Sequence, residues 1–481
     1  MPPNALKKQR CGGIMLWLRL FYDFEKEYKL KKSDGIKEYK RMTETPVFKL
    51  VATLSVPTTI SVLISSIYNF ADTYFVSGIG NAATGAVSIV YSIQAIIQAI
   101  GFGFGMGAQS LISRKLGEKK NKEASLYATS AFAAAFFMGL LITGLGFINL
   151  PFVMYLFGST KTVLPLACDY GKWILIGAPL FCSSFVLNNI LRSQGKATLS
   201  MVGLCSGGII NIGLDALLIR QFNMGVEGAA IATIISQAIS FSILISFFIS
   251  GKSIVSINPF HASRKFKDYW KIFYIGLPTV FRQSLGSIAT TLLNITVRPY
   301  GDAVLSAVSI ANKIYLLLRN MLIGVGQGFQ PVAGYNYGTK NYKRVRKAFY
   351  SAVAIGTVFC FGAAALLLCC SGDLMAIFRK GDTEVINIGG KMLKILAISM
   401  PVLGFSTFVN QLYQSLGYVW QATFLASCRQ GIFFVPLILI LPHFSGLTGI
   451  QSTQAIADLA TCVVSVPFIL FMMRKYLSDK I

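Results

Sequence analysis

Acidic residues are scarce in this sequence. Nineteen Asp and Glu stand against 44 Lys and Arg, with two histidines and four tryptophans, in 481 residues. Charged residues amount to 13% of the chain, where soluble domains carry about a quarter. That deficit excludes an ordinary soluble domain. His261 and His443 both fall in expected loops, and no nucleophile–base pair or zinc motif is present, which excludes the common hydrolytic sites. The nine cysteines show no metal-ligand spacing, and Cys182, Cys205, Cys360, Cys428 and Cys462 lie in apolar runs as small packing residues. No Gly-x-x-x-x-Gly-Lys-Ser/Thr run occurs, so ATP is not the expected driving force and no cofactor is expected.

What is abundant is apolar sequence, at 54% of residues and a mean hydropathy of +0.61. Twelve segments reach the roughly 20 residues that a spanning helix needs. They cover about 47–78, 85–113, 124–149, 164–191, 197–219, 227–250, 269–298, 303–331, 346–371, 386–414, 419–441 and 449–473. The fold expected is an all-α polytopic membrane protein. In a soluble chain a net charge of +25 would suggest nucleic acid. Here the cations sit in short loops, in two unequal sets. One set holds Arg114, Lys115, Lys119, Lys120, Lys122, Arg192, Lys196, the 252–271 cluster, the 340–347 cluster, Arg474, Lys475 and Lys480. The other side carries only Lys161, Arg220, Arg298, Arg379 and Lys380. The positive-inside rule then puts both termini in the cytoplasm, with lipid rather than nucleic acid around the protein; the plasma membrane is the expected location.

Residues 1–45 read as a charged cytoplasmic tail. Its apolar patch Ile14–Tyr22 contains Arg19 and is too short to span, and Met42 offers an alternative start just before the first span. Six spans follow in 46–250, then a basic linker at 251–268, six spans in 269–475 and a C-terminus at 476–481.

The two halves repeat. Shifting 57–122 by 221 lays it on 278–343 without a gap: Pro57 meets Pro278, and Gly105, Gly107 and Gln109 meet Gly326, Gly328 and Gln330. Later the shift becomes 222, and Pro179, Asn188 and Gly195 meet Pro401, Asn410 and Gly417. Six spans per half give both halves the same topology, related by an axis along the membrane normal. That plan places a cavity between two pseudo-symmetric lobes.

Membrane acids are the sharpest functional signal, because a carboxylate within a span is costly. Asp72 stands six residues before Gly78, roughly 9 Å below the outer edge of span one, and Asn69 can share its face. Asp215 and Asn211 lie one turn apart near the outer end of span five, and Thr233 is at similar depth in span six. Two carboxylates, an amide and a hydroxyl suit either a hard monovalent cation such as Na+ or one proton shared between two acids. The static alternative is a hydrogen-bond network between helices. Pro57 removes a helix hydrogen bond in span one and marks a place to bend.

The second half lacks these acids: Asp72 and Asp215 fall on Leu293 and Leu437. Its own acid, Asp458, lies deeper in span twelve, as a counter-ion for a cationic substrate or as a partner of Arg282, Lys313, Arg319 or Arg429. Phe281, Tyr315, Phe408 and Tyr413 are aromatic candidates for lining the cavity. Gly101, Gly103, Gly105 and Gly107 form a small-residue stripe suited to helix packing.

With these residues in view, the sequence resembles the MATE (multidrug and toxic compound extrusion) family, and within it the MepA-like branch. The resemblance covers about 46–475 and rests on Pro57 with Ala71-Asp72-Thr73, the repeated Gly-x-Gly-x-Gln, and Gly177-Ala178-Pro179. It rests also on Leu191-Arg192-Ser193-Gln194-Gly195, Asn211-x-x-x-Asp215, and the run Gly225-x-x-Gly228 to Thr233. It implies a twelve-helix, two-lobe antiporter exporting organic cations in exchange for H+ or Na+, expected to act as a monomer. Asp72, Asn211, Asp215 and Thr233 correspond to the family's coupling site, and Pro57 to its bending proline. Asp458 fits the branch's Gln-x-Ile-Ala-Asp pattern. A lipid-linked oligosaccharide flippase of the same architecture is the alternative, kept open by Arg282, Lys313 and Arg319. A receptor and an intramembrane enzyme fit less well.

Overall fold

The protein is described from a computed structural model covering residues 35–379 and 381–477. The patch Ile14–Tyr22, Lys380 and Lys480 lie outside the described residues. The twelve expected spans are twelve helical crossings. The first lobe holds α1 (Val47–Ser77), α2 (Asn81–Gly117), α3 (Asn121–Ile148), α4 (Leu164–Ser193), α5 (Ala197–Asp215) and α6 (Gly225–Ile249). The second holds α7 (Phe266–Val297), α8 (Asp302–Gly338), α9 (Tyr342–Phe378) and α10 (Thr383–Leu416). The last two crossings form one helical run, Val419–Lys475, of 57 residues. It breaks at Gly446, whose φ of 52° and ψ of −132° leave the helical region. Along a straight helix Arg429 and Asp458 would stand roughly 43 Å apart, yet their side chains meet at 2.6 Å. The run is therefore a hairpin, α11 before Gly446 and α12 after it. His443, expected in a loop, lies inside α11 and faces the Leu439 carbonyl at 2.9 Å. The break is confined to Gly446, so α11 continues past the expected span end at 441 and takes in His443.

Two helices contain π-helical segments, Ala216–Gln221 directly after Asp215, and Cys428–Phe433, which contains Arg429. Such segments are rare and cluster at functional sites.

The lobes are bolted together at one end only, the end of the basic loops. There the repeated glycines let backbones touch. A Cβ on Gly276 would lie 1.8 Å from the Gly103 carbonyl oxygen, and one on Gly328 would lie 2.5 Å from Ser55 Cα. Gly117 and Gly338 face each other in the same way, so the pseudo-twofold axis passes between them. Side chains complete the seal: Ser55 Oγ donates to Val325 O at 2.9 Å and Thr58 Oγ1 to Gly324 O at 2.7 Å. Arg114 Nη1 donates to Leu416 O at 3.0 Å, at the end of α10. Buried Arg192 donates to Gln327 across the interface.

Past Thr59, which lies against Gly324 of α8, the contact ends. The α1 face that meets α8 through Ser55 and Thr58 continues at helical spacing through Val62, Ser66, Asn69 and Thr73. Val62 and Ser66 are half-buried, and Asn69 and Thr73 are exposed. The lobes thus part into a cleft at the end away from the basic loops, and α1 runs through Pro57 as one continuous helix.

Residues 35–44, assigned from sequence to the tail, are helical and packed. Met42 is fully buried, and its carbonyl accepts from Asn336 Nδ2 at 3.1 Å. The Thr45 carbonyl accepts from Arg344 Nη2 at 2.8 Å. The segment also touches Gly195 of the first lobe through Glu38, so it straps both lobes across the sealed face. The linker is packed too: Gln194 Oε1 accepts from Ile254 N at 2.6 Å, and Ser263 N donates to Ser130 Oγ at 2.9 Å.

Candidate functional site

Asp215 ends α5 and is fully buried, with Asn211 one turn before it. Asn211 Nδ2 lies 3.5 Å from Thr233 Oγ1 on α6, a long contact, and Thr233 Oγ1 donates to Ala229 O at 3.0 Å. Asp72 on α1 faces Asp215 within electrostatic range. Both Asp215 oxygens and Asp72 Oδ1 are buried with no hydrogen-bond partner among the described residues. The four side chains singled out from sequence are thus brought to one place, and three of the four carboxylate oxygens lack a donor among the described residues. A static network would have spent them on donors. Asn69 is set apart: it is exposed, and its amide donates at 2.6 Å to Ser65 O in its own helix.

The set fits a small cation or a proton. Carboxylate, amide and hydroxyl oxygens are hard donors, and an ionised acid without a partner in an apolar setting is strongly disfavoured. Arg220 stacks over Phe75 at 5.0 Å and Tyr74 at 5.8 Å, joining the C-terminal end of α1 to the π segment after Asp215.

The second-lobe candidates divide differently. Asp458 is fully buried and closed in by donors, not open to a cleft. It receives Arg429 Nε at 2.6 Å, Gln454 Nε2 at 2.8 Å, Ser399 Oγ at 3.5 Å and the Tyr315 hydroxyl. Of the four cations considered as partners, Arg429 is the one that binds it. Arg429 Nη2 also donates to the Tyr315 hydroxyl at 2.8 Å. Phe408 and Tyr413, expected as cavity linings, are fully buried within the second lobe. Phe408 packs against Gly356 of α9, and Tyr413 donates to Phe468 O at 2.7 Å. Their apolar bulk is what the lobe interior needs. Phe281 alone of the four is exposed.

The sequence profile of the MatE family matches residues 57–217 and 278–440, one match in each lobe. The chain belongs to the MatE family. This MatE chain is 26% identical over 441 residues to the multidrug export protein MepA of Staphylococcus aureus (strain NCTC 8325 / PS 47), spanning 90% of this chain and 96% of that one. It is 25% identical over 436 residues to MepA of Staphylococcus saprophyticus, with the same coverage. Among solved structures, a MATE in complex with MaL6 superposes with a TM-score of 0.86 at 23% identity, over 91% of this chain and 98% of that one. An outward-facing multidrug resistance MATE transporter of the MOP superfamily also gives 0.86, at 24% identity, over 92% and 99%. These likenesses establish the two-lobe, twelve-helix fold.

Sequence reasoning missed one group of residues in this MatE chain and the convergence of another. Tyr170 of α4 is buried beside Thr233 and within electrostatic range of both Asp72 and Asp215, and Tyr68 lies beside Asp72. The repeat carried the signal for Tyr170, because its counterpart is Met392. The second group is the convergence of Arg282, Arg319 and Arg429, which come from three different helices.

Proposed function

We propose that this chain is a secondary active multidrug exporter, not an enzyme, which expels organic and mostly cationic compounds in exchange for H+ or Na+. The observation that carries the reading is the first-lobe acid pair, whose three buried carboxylate oxygens lack donors. Such a pair must carry a proton or hold a cation, and either form can be exchanged when the lobes rock. With the basic loops taken as cytoplasmic, the cleft faces outward and the acids are poised to load from outside. Loading neutralises Asp72 and Asp215 and lets α1 bend at Pro57. The Ser55 and Thr58 contacts with α8 then give way and the cleft opens inward. A cationic compound favours the unloaded, negative site and reverses the cycle. The multidrug export named for the MepA relatives supports this reading, and so does the contrast between the unpaired acids of the first lobe and the donor-bound Asp458 of the second.

The test is ethidium efflux from proteoliposomes of the purified chain, with a Na+ or a pH gradient imposed separately. Efflux under one gradient is expected and names the ion. Efflux under neither, with folded protein, overturns the reading. The flippase alternative draws on the second-lobe arginines and predicts movement of a lipid-linked pyrophosphate in the same vesicles.

A further inference from the structure

The two lobes share a backbone plan and carry opposite charge. Under the repeat, Arg282, Arg319, Arg429 and Asp458 fall on Ser61, Gln98, Gly207 and Ser236, while the acids of the first lobe fall on leucines. Arg282 on α7 and Arg319 on α8 both lie within electrostatic range of Arg429 on α11. One carboxylate faces these three guanidiniums, and it is committed to Arg429. Arg319 Nε is buried with no hydrogen-bond partner among the described residues, and its Nη2 reaches only Asn320 Oδ1 at 3.5 Å. Arg282, Arg319 and Arg429 nevertheless retain partial exposure, so the cluster borders accessible space. Lys313, on the same helix as Arg319, is exposed.

A bare pair of guanidiniums at mid-span is as costly as a bare acid. Arginine is also the side chain best shaped to grip a planar or tetrahedral oxyanion through two parallel bonds. We infer that Arg282, Arg319 and Arg429 form a binding site for one anionic group, a carboxylate or a phosphate, carried by an amphipathic ligand. The tether from Asp458 and Tyr315 fixes Arg429, and Arg282 and Arg319 supply the free donors. A compound with a cationic ring and a carboxylate would then meet both lobes, its cation toward Asp72 and Asp215 and its anion here. This deepens the efflux reading by naming a substrate class, and it is tested by binding at equilibrium, so the failure of either is seen separately.

The experiment uses the full chain in phosphatidylcholine nanodiscs and two fluorescent probes with one ring system: rhodamine B, which has a free carboxylate, and its ethyl ester, which does not. Arg319→Gln is expected to weaken rhodamine B about tenfold or more, the scale of one lost charge-assisted hydrogen bond, and to leave the ester unchanged. Arg282→Gln should do the same and guards against one variant failing to fold. Equal losses for both probes, or no loss for either, overturn the site. Competition by added phosphatidylglycerol in the wild type but not in Arg319→Gln supports the site and identifies a lipid phosphate as its resident anion. Competition by inorganic phosphate supports it and identifies a free anion.

Discussion

Gln109 Nε2 donates to Gln330 Oε1 at 3.2 Å, and the two residues are 221 positions apart. That separation is the repeat itself, so the hydrogen bond joins a residue to its own counterpart across the pseudo-twofold axis. Gln330 in turn donates to Gln414 at 3.3 Å, and Gln414 to Thr279 at 2.7 Å. The chain of amides lies at the sealed end, between the helices that must separate if the cleft is to open on the other side. Replacing both glutamines by cysteine and joining them with a short bifunctional thiol reagent, in a background without the native cysteines, should abolish efflux. Cleaving the link should restore it. Full efflux with the link in place would mean that this seam stays shut throughout the cycle.

Glycine contacts make the seal sensitive to a single methyl. Gly276→Ala puts a Cβ where the Gly103 carbonyl oxygen sits, at 1.8 Å, and neither partner is a flexible side chain. The variant should fold and should favour the state in which these helices part. Spin-label distances across the sealed end should lengthen relative to the wild type. Unchanged distances would place the strain elsewhere.

The buried pair in the second lobe has a different signature. Breaking such a pair by removing one partner costs about 3–5 kcal/mol, because the other charge is left uncompensated. Arg429→Gln should therefore lower the melting temperature strongly. The double variant Arg429→Gln with Asp458→Asn should recover much of that loss. Additive losses would show that Asp458 is held by Tyr315 and Gln454 rather than by Arg429.

The strap at residues 35–44 should report the state of the sealed face. Asn336→Ala removes the bond to the Met42 carbonyl and leaves α8 helical. Hydrogen exchange should rise in 35–45, with little change in α8. No rise would mean that Arg344 and burial of Met42 suffice.

Much of this was legible in the sequence because it is written in period and spacing. Twelve apolar runs became twelve crossings, and the shift of 221 became an axis with Gln109 and Gln330 on either side of it. Asp72, Asn211, Asp215 and Thr233 were found because a polar residue in a span is conspicuous by itself. What stayed hidden depends on facing directions between distant helices. Four cations were candidates for Asp458, and only the hairpin at Gly446 brings Arg429 to it. Phe408 and Tyr413 belong to a span at the repeat interface, but their rings turn inward to fill the lobe. Residues 35–44 look like a charged tail because their buried face is short, and its partners, Gly195, Asn336 and Arg344, lie far along the chain.

Neutralising the acids tests the central claim most directly. Ethidium efflux should be compared in vesicles for the wild type, Asp72→Asn and Asp215→Asn, under separate Na+ and pH gradients, with matched folded protein. Each substitution removes an oxygen that can carry the coupling ion, so gradient-driven efflux should fall at least tenfold in both variants. Wild-type coupled efflux in Asp72→Asn and Asp215→Asn would contradict the account, because the buried, unpaired carboxylates would then have no part in the exchange.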